Sequence, residues 1–323
     1  MRRVAGILAL AVMPAVAAGV LLDAADRPAW AYADNPPNLQ PPVDDGTPKR
    51  VPGSSAAFTL KEIGNVFVAP VWHPDDHPLL PGIVGRGRQP GAMACGYCHY
   101  PTGAGKPENA SLAGLPAEYI VQQMADFKSG RRRSSVPTLV PQALMITTAQ
   151  HATDEEVRVA AEYFSAFTPK PNWIKMVETD SVRKMTVVGY QWTPVEGSST
   201  EPIGQRIFET PDNKTLTALR DYRSAFTAYV PVGSIKRGER LATTGGNGRT
   251  VQCGVCHGAD LRGIGPIPGL VGRSPTYLVR QLYDFQAGVR NGAWAALMKQ
   301  AVAKLTEEDM VALAAYAASR PVN

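Results

Sequence analysis

The chain has few cysteines and only a small excess of charge of one sign. Four cysteines in 323 residues allow at most two disulfide bridges. Lys and Arg exceed Asp and Glu by only five and are spread along the whole sequence, so no nucleic-acid partner is expected. With 44% apolar residues the chain can bury cores of its own, and its length suits two compact domains plus connecting material.

Residues 1–33 have the pattern of an export signal. A basic start, Met1-Arg2-Arg3, precedes an apolar run at residues 4–22 that carries no charge. The small residues of Ala31-Tyr32-Ala33 predict a cleavage site before Asp34. The apolar run is also long enough to span a bilayer, so an uncleaved anchor is the alternative. The folded part is expected in the periplasm, with membrane contact only if this segment stays uncleaved.

The four cysteines form two pairs, and a histidine follows each pair at once. Two thiols at this spacing can each form a thioether with one vinyl group of the same porphyrin, and the adjacent histidine then reaches the iron. Two disulfides or two zinc sites are the alternatives, but neither explains a histidine in the same place after both pairs. The sequence therefore predicts two covalently bound heme c groups. The predicted residues are Cys95, Cys98 and His99 in one motif and Cys253, Cys256 and His257 in the other.

Both motifs belong to an internal repeat. Residues 95–130 match residues 253–288 at a constant offset of 158, and residues 149–163 match residues 302–316 at an offset of 153. In each copy the spacing of apolar residues predicts a helix after the motif and a final alanine-rich helix with a capping signal. Equivalent residues include Tyr119 and Tyr277, Gln123 and Gln281, and Asp126 and Asp284.

A methionine lies in the same place in both copies. At the offset of 153, Met145 matches Met298, in the loop that precedes the final helix. A thioether opposite histidine holds heme iron six-coordinate and raises its potential. We therefore predict that Met145 and Met298 are the second axial ligands, the alternative being loop residues that fill a gap. Met124 is expected to pack in the core.

This order of helices, motif and methionine resembles a class I cytochrome c domain, and two copies behind an export signal resemble the bacterial periplasmic diheme cytochromes c. The domains are expected at residues 78–168 (the first repeat) and 234–323 (the second repeat). The resemblance implies a mainly α fold and a His/Met iron in each domain. The implied ligand pairs are His99 with Met145 and His257 with Met298.

The resemblance also implies an electron carrier without substrate chemistry. The carrier would pass single electrons between periplasmic redox proteins, from a dehydrogenase towards an oxidase or reductase. A permanent cytochrome subunit of a dehydrogenase complex is the first alternative. A diheme peroxidase-like enzyme, which needs an open iron, is the second.

The sequence outside the repeats is expected to be ordered. Residues 34–77 form an N-terminal extension, and residues 169–233 form an insert whose Val, Thr and aromatic residues predict short β-strands. The opening helix of the first repeat is broken by glycines, so residues 57–81 are expected to cover that heme face instead. His73 and His77 either bind a metal or the iron, or lie in a solvated turn.

A basic cluster follows the first long helix. It consists of Lys128, Arg131, Arg132 and Arg133. The cluster is either part of a solvated loop or a docking patch for an acidic redox partner.

Overall fold

The computed structural model describes residues 27–322, and the fold is mainly α, as predicted. Most of the predicted export signal therefore lies outside the described residues, and only residues 27–33 fall within them. Within this part of the chain, no helix is long and apolar enough to cross a membrane. The helices are α1 (Leu60–Ile63), α2 (Gly82–Gly85), α3 (Cys95–His99), α4 (Ala117–Lys128), α5 (Val140–His151), α6 (Asp154–Ser165), α7 (Lys214–Ala218), α8 (Ser234–Thr244), α9 (Gly254–His257), α10 (Pro275–Gln286), α11 (Ala295–Val302) and α12 (Glu307–Ser319).

The strands lie mostly in the insert, as the sequence predicts. Strands β1 and β7 run parallel, and β6 pairs antiparallel with β7, which gives a three-stranded sheet. The pairs β2–β5, β3–β4 and β8–β9 are antiparallel. The strands are β1 (Ile174–Thr179), β2 (Ser181–Arg183), β3 (Met185–Val188), β4 (Gln191–Pro194), β5 (Thr200–Pro202), β6 (Phe208–Pro211), β7 (Phe226–Pro231), β8 (Gly263–Ile264) and β9 (Ile267–Pro268).

The final helix of each repeat begins with the predicted capping signal. The Thr153 side chain accepts a hydrogen bond from the backbone of Glu156, and the Glu156 carboxylate accepts one from the backbone of Thr153. Thr306 and Asp309 make the same reciprocal pair at the start of α12. Each box satisfies two backbone N–H groups that have no partner inside the helix.

The methionines of the two repeats lie in helices, so their prediction as loop residues was wrong. Met145 is in α5 and Met298 is in α11. The α5 sequence contains no glycine, and its only proline stands in the first turn, where the missing N–H costs nothing. Local helix propensity therefore gives a helix at Met145, where the family pattern predicts a loop.

The two repeats open differently. The second repeat opens with the full helix α8, and Gly238 lets α8 approach the backbone of α12 at Ala312. In the first repeat, α2 is a single turn, as predicted. The upstream residues hydrogen-bond to the outer side of the attachment helix, where the amide of Ala94 donates to the carbonyl of Val66. Residues 57–81 are not among those that line the first cavity, but Leu80 packs against the core of the first repeat, which includes Ile83 and Val84.

His73 of the N-terminal extension does not lie in a solvated turn, whereas His77 is partly exposed and follows the exposed turn Pro74–Asp76. His73 is buried, and its Nε2 lies 3.0 Å from the carboxylate of Asp221 in the insert. Tyr222 packs edge-on against the same ring. The described residues contain no cluster of three side chains that could hold a metal ion. His73 therefore fastens the extension to the insert.

Candidate heme sites

The two attachment histidines make the same hydrogen bond. The Nδ1 atom of His99 lies 2.7 Å from the carbonyl oxygen of Ala110, and that of His257 lies 2.8 Å from the carbonyl oxygen of Pro268. Both acceptors follow the offset of 158 between the repeats. A ring that donates from Nδ1 keeps the lone pair of Nε2 free for a metal. Burial lowers the pKa of both histidines, which favours the neutral ring.

None of the four cysteines forms a disulfide. Burial raises the pKa of Cys95 to about 12 and that of Cys253 to about 11, so both stay protonated at neutral pH. Each pair faces one cavity together with the histidine that follows it.

Each repeat encloses a mainly apolar cavity that contains its predicted site residues. The first cavity has a volume of about 140 Å³ and is lined by Cys95, Cys98, His99 and Met145. The second has a volume of about 450 Å³ and is lined by Cys253, Cys256, His257 and Met298. Two thiols, an imidazole and a thioether around an apolar space are a donor set that fits heme c. The structure thus brings together every residue predicted for each site.

The two cavities share a wall. Tyr119 and Gln123 from the first repeat, with Tyr277 and Gln281 from the second, line both of them. Each cavity is therefore closed partly by the other repeat. This proximity suits the transfer of electrons between two sites within one chain.

Two arginines cross between the repeats in this wall. Arg132 donates to the hydroxyl of Tyr277 at 2.8 Å and to Gln281 at 2.9 Å. Arg290 donates to the hydroxyl of Tyr119 at 2.7 Å and to Gln123 at 2.8 Å. Because Arg132 is buried, it belongs neither to a solvated loop nor to a docking patch.

Sequence reasoning missed this role, although the sequence carries a signal for it. Arg132 matches Arg290 at the same offset of 158 that aligns the attachment motifs. The other cations of the basic cluster face solvent: Lys128 pairs with Asp154 at 3.4 Å, and Arg133 donates to the carbonyl of Gly130. The position of Arg132 in the repeat thus indicated its role better than the charge of its neighbours did.

No family model matches the chain. The chain is 40% identical over 76 residues to cytochrome c-554(548) of Halomonas halodenitrificans, a stretch that covers 23% of this chain and 92% of that protein. It is 25% identical over 245 residues to cytochrome c4 of Azotobacter vinelandii, covering 74% of this chain and 89% of that one. It is also 25% identical over 239 residues to a thiosulfate dehydrogenase electron acceptor of Thiomonas intermedia, covering 72% and 82%.

Among solved structures, the thiosulfate dehydrogenase of Marichromatium purpuratum is 24% identical with a TM-score of 0.47. The match covers 71% of this chain but only 37% of that one.

The chain belongs to the c-type cytochromes. Its two tandem class I domains make it a diheme cytochrome, with two covalently bound heme c groups. The protein is an electron carrier rather than a catalytic enzyme, and its partners are other redox proteins.

Proposed function

We propose that this protein carries single electrons in the periplasm through two His/Met sites, at residues 78–168 and 234–323. Thioethers form on Cys95 and Cys98 in the first site and on Cys253 and Cys256 in the second. The axial ligands are His99 with Met145 and His257 with Met298. One observation carries the proposal: each cavity is lined by both cysteines, the histidine and the matched methionine of one repeat, with Met93 and Met124 also lining the first cavity.

Bound heme supplies a one-electron iron couple at each site. The protein holds each proximal imidazole in one orientation, because the Nδ1 hydrogen bond to a backbone carbonyl fixes the ring. The apolar lining of the cavities limits the entry of water. The buried guanidinium groups of Arg132 and Arg290 place two positive charges in the shared wall. Such charges favour reduction of a nearby site.

Partners contact the second repeat, because its attachment loop is exposed and that of the first is covered. Val255, between the two cysteines, is 72% exposed, whereas its equivalent Tyr97 is 7% exposed. Ile264 is 55% exposed, whereas its equivalent Lys106 is 8% exposed. The described structure therefore leaves only the second attachment loop open to a partner.

The insert is what covers the first loop. The guanidinium carbon of Arg220 lies 3.6 Å from the centre of the Tyr97 ring, and Arg220 also donates to the Tyr97 carbonyl at 3.0 Å. Gln191 donates to Glu108 at 2.9 Å, and Glu108 forms a buried ion pair with Lys106.

The partners have an acidic surface. Arg262, in the open loop of the second repeat, pairs with Asp260, and Arg249 pairs with Asp309, whereas Lys299 and Lys304 of the same repeat donate to the uncharged Asn291 side chain and Gly248 carbonyl. Charges of this kind steer the encounter of redox proteins more than they fix affinity. Relatives are named as an electron acceptor of thiosulfate dehydrogenase and a cytochrome subunit of sulfide dehydrogenase, so the donor is a periplasmic dehydrogenase.

Replacing each methionine separately tests the ligand assignment. In the oxidised protein, Met145→Ala and Met298→Ala should each remove about half of the weak far-red band of thioether-bound ferric iron. Each should also lower one of two reduction potentials. Met185→Ala, in the insert, is the control and should change neither reading. A full band in either ligand variant would contradict the assignment. A high-spin iron in the unmodified protein that binds peroxide would contradict the carrier function.

A further inference from the structure

Residues 30–32 lie inside the segment predicted as an export signal, yet they pack in the core. Ala31 is fully buried and Tyr32 is 5% exposed. The Tyr32 ring packs edge-on against Tyr283 of α10, with ring centres 6.3 Å apart. Val279 of α10 belongs to the same buried cluster. These residues thus fill part of the largest core of the second repeat.

The segment also satisfies two buried charged groups of α10. The Tyr32 hydroxyl donates to the carboxylate of Asp284 at 2.7 Å. Arg280 donates to the carbonyl oxygen of Ala31 at 2.7 Å. Loss of the segment would remove one partner from each buried charge, which is costly in a site closed to water.

The same two groups reach the first repeat. Arg280 donates to the carbonyl oxygen of Pro107, in the first attachment loop. Asp284 accepts hydrogen bonds from the amide and the hydroxyl of Ser135. Tyr32 and Ala31 therefore complete a junction between the two repeats.

Trp30 extends the junction to the insert. Its indole N–H donates to the carboxylate of Glu307 at 2.7 Å, and its carbonyl accepts a hydrogen bond from the indole of Trp192 at 2.9 Å. Next to it, the side chain of Asn35 accepts a hydrogen bond from the amide of Tyr190. Residues 30–35 thus contact both repeats and the insert.

We propose that Trp30, Ala31 and Tyr32 stay in the mature protein as a strap between the repeats. Signal peptidase then cuts at a bond between residues 17 and 27. Cleavage before Asp34 would remove the strap. A second pattern of small residues, Ala15-Val16-Ala17, lies upstream and fits the same peptidase. The reaction is hydrolysis of one peptide bond by water, which leaves a carboxylate on the leader and an α-amine on the mature chain.

The position of the cut is tested on the full chain, expressed in a host that exports it and attaches heme. N-terminal sequencing and intact mass of the purified holoprotein should place the first residue between positions 18 and 27. A chain that begins at Asp34, or one that still begins at Met1, would overturn the proposal.

The role of the strap is tested by fixing the cut with a foreign leader. A holoprotein that begins at Asp34 should melt several degrees below one that begins at Arg27, with the same heme content. Equal melting temperatures would refute the strap. If the shorter chain does not accumulate, Tyr32→Phe serves instead: it removes only the hydroxyl on Asp284 and should lower the melting temperature more than Tyr190→Phe does. No difference between these two variants would also refute the strap.

Discussion

Arg132 and Arg290 form an antiparallel backbone bridge, and the guanidinium group of each donates to the tyrosine and the glutamine of the opposite repeat. The neighbouring backbone repeats the relationship: the amide of Arg133 donates to the carbonyl of Val289, and that of Asn291 to the carbonyl of Arg131. An exchange of equivalent partners is what an approximate two-fold axis between the repeats requires. The axis passes through the wall that the two cavities share.

Removing one of these arginines should weaken the junction of the repeats. Arg132→Ala leaves the Tyr277 hydroxyl without its donor and removes one of the two arginines that donate to Gln281, so we expect it to lower the free energy of unfolding by about 2–4 kcal/mol. Arg131→Ala, at the exposed neighbouring position, should change it by less than about 0.5 kcal/mol. Denaturant titration of the holoprotein measures both. Similar effects of the two variants would show that the bridge is not a stabilising contact.

Glu209 should make the stability depend on pH. Burial raises the pKa of its carboxyl group, although one oxygen accepts hydrogen bonds from Ser274 and Thr276. The raised pKa means that the contribution of Glu209 is fully present below the pKa of the unfolded chain, near 4.3, and is lost as the pH rises through the folded value. Glu209→Gln stays uncharged, so its stability relative to the unmodified protein should increase from pH 4 to pH 8. Exposed Glu239→Gln is the control, and a difference independent of pH would contradict the prediction.

Each heme should depend on the cysteines of its own repeat. Replacing both Cys253 and Cys256 by alanine should lower the covalent heme content from two per chain to one, because these sulfurs line only the second cavity. Intact mass and the heme-to-protein ratio measure the change. The corresponding change at Cys95 and Cys98 should give the same ratio. Loss of both hemes from either variant would show that the sites are not independent.

A negative charge on the open attachment loop should slow exchange with an acidic partner. Val255→Glu should lower the rate of electron exchange with flavodoxin, an acidic redox probe, by about tenfold at low salt, and the effect should shrink as salt is added. Val188→Glu, on an exposed strand of the insert, should leave the rate unchanged. Equal rates in the two variants would place the contact surface elsewhere.

The sequence predicted well what depends on local chemistry and on repetition. The attachment motifs and the capped final helices follow from residue type and the constant offset, whereas the two methionines were expected in loops and lie in helices. Each predicted set lines one cavity, because a repeated sequence folds into repeated structure. The mainly α fold was predicted correctly for the same reason, and the short strands of the insert follow from its Val, Thr and aromatic residues.

The wrong predictions concern residues whose surroundings come from distant parts of the chain. Arg132 is a charged residue among other cations, so its local sequence predicts exposure. It is buried because its partner Tyr277, 145 positions away, packs against it. The sequence around His73 predicts a solvated turn, but in the structure Asp221 of the insert contacts the imidazole. Local sequence predicts exposure of such residues, whereas tertiary contacts decide it.

The crossed arginines give the junction the symmetry of an isologous dimer interface, in which one surface meets a copy of itself. When both copies are part of one chain, the sequence of each repeat can change without a matching change in the other. Evidence of that freedom is present around the attachment loops: Tyr97 is sealed under Arg220, whereas Val255 at the matching position remains open. The two repeats thus meet at a symmetric junction but differ in their attachment loops, one covered by the insert and one exposed.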